Sequence, residues 1–290
     1  MRDFPSCFSE NGVQISETTH GSSRNGQNMS ACVYQIHMGR GESRMITITW
    51  SKNMMGQGFM IEIEDGTKHC LSKVEIKPWL FSKRKGSKNL DVEEATKVDI
   101  FWDLSTAKIG PGPEPLKSYY VAVVFDMKMV LLVGDMRKEA YKKTGARPPH
   151  SNATYIGKRE HVSGKKVYST RTQFCNNGRI HDISIECDTV RIKDPYLEIC
   201  IDKKRVMLVK SLAWKFRGNQ TILVDGFPLE VFWDVHSWLF GSPITTNAVF
   251  MFQSYAHVDK SFPWSSCSSS FRESQLQALG FSLVLYACKE

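Results

Sequence analysis

The sequence predicts an all-β, antiparallel protein made of two similar halves, and three observations support this prediction. Short segments rich in Ile, Val, Thr and aromatic residues recur every 10 to 20 residues, and several alternate apolar with polar positions. Turn sequences such as EDGT and GPGPEP separate them. The triplet Phe-Trp-Asp occurs twice, in VDIFWDLS (98–105) and in LEVFWDVHS (229–237). We therefore expect about 14 strands in internally duplicated, sandwich-like or barrel-like units.

The two Phe-Trp-Asp triplets belong to a longer series of matches that keep the same order along the chain. MITITW (45–50) precedes DISIEC (182–187) by 137 residues, and FMIEIED (59–65) precedes YLEICID (196–202) by the same interval. The interval falls to 131 residues at the triplets, as it would if the second copy had shorter loops. Because chance similarities do not preserve order in this way, the series indicates an internal duplication.

The duplication divides the chain into three parts. Residues 1–29 are poor in apolar side chains and rich in Ser, Thr, Asn and Gly, which is typical of a flexible tail. Residues 30–146 form the first β repeat and 147–290 the second. A Ser-rich insertion near 255–276 lengthens the last hairpin of the second repeat, whereas the matching turn of the first repeat is only Asp126-Met127-Lys128. Long polar insertions are either functional or disordered.

One short helix is predicted at the end of the first repeat, in GDMRKEAYKKTGA (134–146). Asp135 is its candidate N-cap, lysines lie toward its C-terminus, and GARPP ends it. The strand pattern leaves two architectures open, either two packed sandwiches or one large closed structure.

Composition excludes several classes of protein. No apolar run approaches the roughly 18 residues that cross a bilayer, so we expect no membrane span. The N-terminus lacks the apolar core of a secretory signal, which favours the cytoplasm or nucleus. The eight cysteines include no C-x-x-C pair, as expected of thiols in a reducing compartment.

The net charge of +8 is spread over several separate basic clusters. We interpret them as solubilising loops between strands, and we therefore do not expect a nucleic acid partner. The first cluster is the candidate basic surface, formed by Lys83, Arg84, Lys85 and Lys88.

The repeated triplet has two interpretations. Side chains alternate along a strand, so Asp103 faces away from Trp102 and Asp234 away from Trp233. In the first interpretation each Trp is buried and each Asp accepts hydrogen bonds from the turn that follows it. In the second, Asp103 and Asp234 are paired carboxylates of one ligand site, which requires the two strand ends to meet between the repeats.

No sequence motif indicates a particular chemistry. His, Cys and carboxylates do not cluster at the spacings of a metal site, and the motifs of nucleotide loops, nucleophile elbows and zinc proteases are absent. We therefore expect no metal and no cofactor. The absence of these motifs favours a non-catalytic protein, and the sequence leaves enzymatic activity open.

Exposed tryptophans provide candidate binding surfaces, because a β-sandwich can stack a carbohydrate on an indole ring. Trp238 and Trp264 are the candidates for ligand binding. Trp79 and Trp214 occupy matching positions in the two repeats and are interpreted as core residues. A lipid or another small apolar ligand inside a barrel is equally compatible with the composition.

Long segments of the chain closely resemble the plant family called domain of unknown function 868. The resemblance covers nearly the whole chain and implies a land plant source. Because the family has no established activity, it implies no catalytic residue. Cys288 lies where the family usually has an aromatic residue. The segments that support the resemblance are MRDFPSCF, KVEIKPWLFSKRKGSK, VDIFWDLSTAKIGPGPEP, VAVVFDMKMVLLVGDMRKEAYKKT, WKFRGNQTILVDG, EVFWDVHSWLFG and GFSLVLYA.

Two functional hypotheses follow. The leading one is a non-catalytic protein-interaction or scaffold module that presents the Pro-rich turn, the basic tips and the Ser-rich insertion to a protein partner. The alternative is a binder of a small lipid or carbohydrate, or an enzyme, with a cavity between the repeats and Asp103 and Asp234 as its polar groups. The insertion also supplies candidate phosphorylation sites at Ser265, Ser266, Ser268, Ser269 and Ser270.

Overall fold

The computed structural model describes most of the chain between residues 28 and 289. The described ranges are 28–38, 42–54, 56–65, 69–77, 83–91, 97–148, 153–175, 178–188, 195–241, 247–255 and 279–289. Within them the chain forms nineteen strands and two short helices.

The first part of the chain contributes ten strands and one helix. They are β1 (Asn28–His37), β2 (Ser43–Asn53), β3 (Gly56–Glu64), β4 (Cys70–Ile76), β5 (Lys85–Asp91), β6 (Lys97–Asp103), β7 (Lys108–Ile109), β8 (Pro115–Lys117), β9 (Tyr120–Phe125), β10 (Lys128–Gly134) and α1 (Arg137–Thr144).

The second part contributes nine strands and one helix. They are β11 (Thr154–Gly164), β12 (Val167–Thr172), β13 (His181–Asp188), β14 (Tyr196–Ile201), β15 (Lys204–Val209), β16 (Arg217–Val224), β17 (Phe227–Asp234), α2 (His236–Phe240), β18 (Asn247–Tyr255) and β19 (Leu279–Lys289).

One long sheet runs through both parts of the chain. Its nine strands lie in the order β16-β17-β18-β19-β11-β1-β2-β3-β4. Strand β11 joins the two parts, because it pairs antiparallel with β1 on one side and parallel with β19 on the other. Two four-stranded sheets, β10-β9-β6-β5 and β12-β13-β14-β15, and the small ribbon β7-β8 complete the described structure.

Each four-stranded sheet packs on its own half of the long sheet. In the first sandwich, Ile46, Ile48 and Ile61 of the long sheet meet Ile100 and Val123 of the β5-β6-β9-β10 sheet. The alternation predicted for MITITW is present, since every second residue of β2 is buried up to Trp50. The burial of these aliphatic side chains provides the main stabilisation of the sandwich.

The second sandwich is built in the same manner. Ile185 and Leu197 of the β12–β15 sheet pack against Val231, Phe250 and Leu283 of the long sheet. The continuity of the long sheet through β11 removes two strand edges that separate sandwiches would expose.

The structure confirms the prediction of an all-β protein, and it refines the architecture. None of the described sheets closes into a barrel. The structure has nineteen strands where about fourteen were expected, and the additional ones include β5, β7, β8, β11 and β16. Strands β5 and β16 have polar sequences because they lie at sheet edges, so hydrophobic periodicity does not reveal them.

The predicted helix is confirmed as α1, and it ends at Gly145, which adopts the left-handed conformation. Asp135 does not cap it, because its carboxylate accepts the backbone N–H groups of Ser118 and Tyr119 instead. Helix α2 was not predicted. Neither helix has the length or the apolar character of a segment that spans a bilayer, in the part of the chain that the structure describes.

Candidate functional site

Each Phe-Trp-Asp strand packs its tryptophan on a glycine of the neighbouring strand. Trp102 lies opposite Gly86 of β5, and Trp233 lies opposite Gly218 of β16. A Cβ atom would come within 2.6 Å of the indole ring at Gly86 and within 2.4 Å at Gly218. A side chain at either position therefore forces the tryptophan to move.

The indole Nε1 groups are also held in the same way in the two sandwiches. Trp102 donates to the carbonyl oxygen of Lys83 at 3.2 Å, and Trp233 donates to that of Lys215 at 2.9 Å. Both tryptophans are buried, so this bond satisfies a polar group that has left water.

The two aspartates have equivalent roles at the ends of these strands. Asp103 forms an ion pair with Lys85 at 2.6 Å, and Asp234 forms one with Arg217 at 2.8 Å. Each carboxylate also accepts the backbone N–H of the residue two positions further on. These contacts match the turn-capping interpretation, and every one of them lies within one sandwich. No contact among the described residues brings the two carboxylates together.

The Asp103 side chain is the more buried of the two, at 6% exposed against 28% for the Asp234 side chain. Burial alone raises the pKa of Asp103. The hydrogen bonds from Lys85 and Ser105 outweigh this effect and leave the pKa below its usual value. Asp103 is therefore held as a carboxylate for a structural purpose.

The structure corrects the predictions for two tryptophans. Trp238 was predicted to be a stacking platform, but it is only 7% exposed and stacks on Tyr168 at 4.9 Å, because α2 turns it toward the core. Trp214 was interpreted as a core residue and is 88% exposed. Trp79, Trp264 and the five candidate phosphorylation sites lie outside the described residues.

The predicted basic surface lies where the chain enters β5. Lys83, Arg84, Lys85 and Lys88 are all exposed, and Lys85 is engaged with Asp103. These residues thus belong partly to an edge strand and partly to the connection before it, where a hairpin tip was predicted.

The Pro-rich turn was predicted to present itself to a partner, and the structure shows that it is packed against the protein. Pro113 and Pro115 are buried. Lys52 donates to the carbonyl oxygens of Gly110 and Pro111, and Gln57 donates to that of Pro113. The turn carries Glu114 into the joint between the two sandwiches.

A buried ionic cluster occupies this joint. Lys158 of β11 is 3% exposed, and its ammonium group lies 2.6 Å from Glu114 and 3.0 Å from Glu160. Ser30 of β1 donates to Glu114 at 2.6 Å, and Thr170 of β12 donates to Glu160. The cluster thereby connects β1, β11, β12 and the Pro-rich turn where the alternative hypothesis places a ligand cavity.

The joint places one lysine between two carboxylates. Burial alone lowers the pKa of Lys158, but the carboxylates of Glu114 and Glu160 outweigh it and hold the pKa above its usual value. The lysine is therefore a cation whose partners are carboxylates and polar groups of its own chain. Such a cluster fits a structural role.

A second charged cluster lies at the start of β13 in the second sandwich. His181 lies 2.9 Å from Asp202 and 3.2 Å from Asp225. Arg179 contacts the same two carboxylates. Among the described residues there is no group of three or more His, Cys, Asp and Glu side chains arranged to hold a metal ion.

An open groove lies between the edges of the second sandwich, where β15 ends and β16 begins. Its volume is about 370 Å³. Three of the residues that line it are basic, Lys210, Lys215 and Arg217, and none is acidic. The remaining lining residues are Leu208, Val209, Gly218, Asn219, Gln220 and Trp233.

The connection from β15 to β16 carries the most exposed tryptophan of the described chain. Trp214 is flanked by Lys215, and Lys210 lies four residues before it. Neither ammonium group has an ion-pair or hydrogen-bond partner among the described residues. Arg217 differs, because Asp234 neutralises it. The groove therefore contains two uncompensated cations, and an exposed aromatic ring lies on the connection beside it.

The sequence alone does not reveal this groove. Except for Trp233 of β17, its residues lie in one stretch of chain, 208–220, and the groove forms because β15 and β16 are placed at the edges of two different sheets. One feature of the sequence does point to it, since WKFR (214–217) alternates aromatic with basic residues in the way that binding surfaces for anionic partners do.

Comparison with known proteins gives a family and nothing closer. No curated protein matches the chain, and no solved structure does. The family described as plant protein of unknown function (DUF868) matches residues 25–289, which is nearly the whole chain. The chain therefore belongs to this family of plant proteins.

Proposed function

We propose that the protein is a non-catalytic binding module that holds an acidic segment of a protein partner in the groove between β15 and β16. The observation that carries this proposal is the pair of uncompensated cations, Lys210 and Lys215, beside an exposed Trp214. Exposed aromatic residues and basic side chains are enriched where proteins bind partners. A groove without carboxylates favours an acidic partner over a basic one.

The non-catalytic part of the proposal rests on what the other charged groups do. Asp103 and Asp234 cap turns and neutralise cations of their own sandwiches. Lys158 and Glu160 compensate one another in the joint. The polar groups of the joint are engaged with one another, which gives the groove more support than the alternative of a small ligand held between the repeats.

We also propose that the two sandwiches are repeats of one unit, at residues 30–146 and 147–290. The matching sets of contacts support this. Each sandwich has a glycine under a tryptophan, an indole bonded to a backbone carbonyl, and an aspartate paired with the cation across the strand. Unrelated sandwiches have no reason to share all three features at corresponding strands.

Selection of peptides tests the proposed function. A random peptide library displayed on phage is selected against the full chain, and the affinity of the enriched peptides is measured by calorimetry. We expect enrichment of Asp and Glu, and an affinity that falls with salt. The variant Lys210→Ala/Lys215→Ala is expected to weaken binding at least about tenfold.

The matched control is Lys108→Ala/Lys117→Ala, which removes two exposed lysines of β7 and β8. It is expected to leave the affinity unchanged. The proposal is wrong if no peptide is enriched, or if the enriched peptides bind equally well to the Lys210→Ala/Lys215→Ala variant.

A further inference from the structure

We infer that the partner segment binds as an extended strand that adds to the free edge of β16 and so becomes a tenth strand of the long sheet. This inference rests on the proposed function and specifies how the partner is held. Strand addition supplies affinity through backbone hydrogen bonds, while side chains in the groove select the sequence.

Strand β16 is a long and weakly protected edge. Among the described strands it is the longest at any sheet edge, at eight residues, and its pairing with β17 has no register shift. The pairings of the edge strands β4, β10 and β15 contain such a shift, and the regularly paired edge strands β5 and β12 are shorter. Proteins commonly use bulges, charges and prolines to block edges, and β16 has no proline and only one charged residue, Arg217.

The hydrogen-bond pattern of β16 shows which backbone groups are free. The N–H of Val235 donates to the carbonyl of Phe216 at 2.9 Å, so the backbone N–H and C=O groups of these two residues point toward each other. Hydrogen-bonded and non-bonded pairs alternate in an antiparallel ladder. The N–H and C=O groups of residues 217, 219, 221 and 223 therefore point away from β17, toward an incoming strand.

Side chains around the edge add selectivity to this backbone template. A strand beside β16 lies along the groove, because the groove is lined by residues 217–220 of β16 on one side and by the end of β15 and Lys210 on the other. Every second side chain of the added strand faces the groove. Acidic side chains at these positions reach the ammonium groups of Lys210 and Lys215, and Trp214 is available to cover one end.

Substitution of Thr221 distinguishes strand addition from simple charge attraction. Thr221 is exposed, and by the alternation its N–H faces the free edge. Thr221→Pro removes that donor without removing a bond to β17, and proline is tolerated at edge positions of this kind. Thr221→Ala keeps the donor and is the matched control.

The affinity of the selected acidic peptide is measured by calorimetry for both variants, and their folding is compared by circular dichroism and thermal unfolding. We expect Thr221→Pro to weaken binding about tenfold or more, and Thr221→Ala to leave it within about twofold. A version of the peptide with N-methyl groups on alternate amides is expected to lose binding to the unmodified protein, which tests the same bonds without changing the protein.

The outcomes separate this inference from the proposed function. Strand addition is wrong if neither Thr221→Pro nor N-methylation of the peptide weakens binding, relative to the unmodified peptide with the unmodified protein. In that case, a loss of affinity in Lys210→Ala/Lys215→Ala still supports a groove that binds acidic peptides. If no acidic peptide binds at all, both proposals fail. If light scattering shows a dimer that Thr221→Pro converts to a monomer, the edge joins two copies of this chain, and the partner strand is wrong.

Discussion

Lysine side chains occupy two opposite settings in this protein. In the joint, Lys158 is buried and has two carboxylates within 3.0 Å. In the groove, Lys210 and Lys215 are exposed and have no partner among the described residues. A buried charge must be compensated by its own chain for the protein to fold, whereas an uncompensated exposed charge is available to another molecule. The first setting maintains architecture, and the second is where function is expected.

The largest effect on stability is expected from Lys158→Met. The substitution leaves Glu114 and Glu160 in the joint without their cation, and loss of one partner from a buried pair costs about 3–5 kcal/mol. The free energy of unfolding is measured by urea denaturation. The control is Lys215→Met, for which a change below about 0.5 kcal/mol is expected because the side chain is exposed.

A triple variant keeps this prediction testable if Lys158→Met does not fold. Lys158→Met/Glu160→Leu/Glu114→Gln removes all three charges together, and it is expected to recover much of the lost stability, since replacing a whole buried cluster is far milder than breaking it. Equal stability of Lys158→Met and the unmodified protein contradicts the assignment of the joint as architecture.

The next largest effect is expected where the two sandwiches are alike. Gly86→Ala and Gly218→Ala each place a methyl group against an indole ring, at 2.6 and 2.4 Å. We expect each to lower the free energy of unfolding by about 1–3 kcal/mol, as overpacking does. Gly112→Ala is the control, because a Cβ there meets no atom within 4 Å. A large cost at only one of the two glycines contradicts the equivalence of the sandwiches.

The strands of the two cores could be predicted from the sequence, and the site could not. Strands such as β2 bury every second side chain, so Ile46 and Ile48 reveal the period. In β16 only Ile222 and Val224 are buried, because an edge strand beside a groove has little to cover. The exposure of Trp214 was also missed, because its match to an earlier position in the sequence was taken as evidence of core packing, and such a match does not by itself imply burial.

A smaller effect is expected at the two capping aspartates, and at Asp103 this effect depends on pH. The pKa of Asp103 is lower in the folded protein than its usual value, so its contribution to stability is complete above that usual value. The contribution is lost as the pH falls through the lower, folded pKa. Asp103→Asn is expected to lower the free energy of unfolding by about 1–2 kcal/mol at neutral pH and to reduce the loss of stability below about pH 4.

Asp234→Asn is the matched comparison, and its expected cost is about 0–1 kcal/mol because the Arg217 pair is more exposed. Urea denaturation between neutral and acidic pH measures both variants. If the unfolding free energy of Asp103→Asn falls with acidification as steeply as that of the unmodified protein, the Lys85–Asp103 pair does not act as described.

The smallest effect on stability is expected at Trp214. This residue also distinguishes most clearly between side chains that stabilise the fold and side chains that are exposed for binding. Trp214→Ala removes a ring that contacts solvent over most of its surface, so the free energy of unfolding should change by less than about 0.5 kcal/mol. The same substitution at the buried Trp238 is expected to cost about 3–5 kcal/mol. Affinity for the selected acidic peptide should behave in the opposite way, falling in Trp214→Ala while the protein remains fully folded. If Trp214→Ala changes neither the stability nor the affinity, Trp214 is not part of the binding site, and only the lysines Lys210 and Lys215 remain as its proposed contacts.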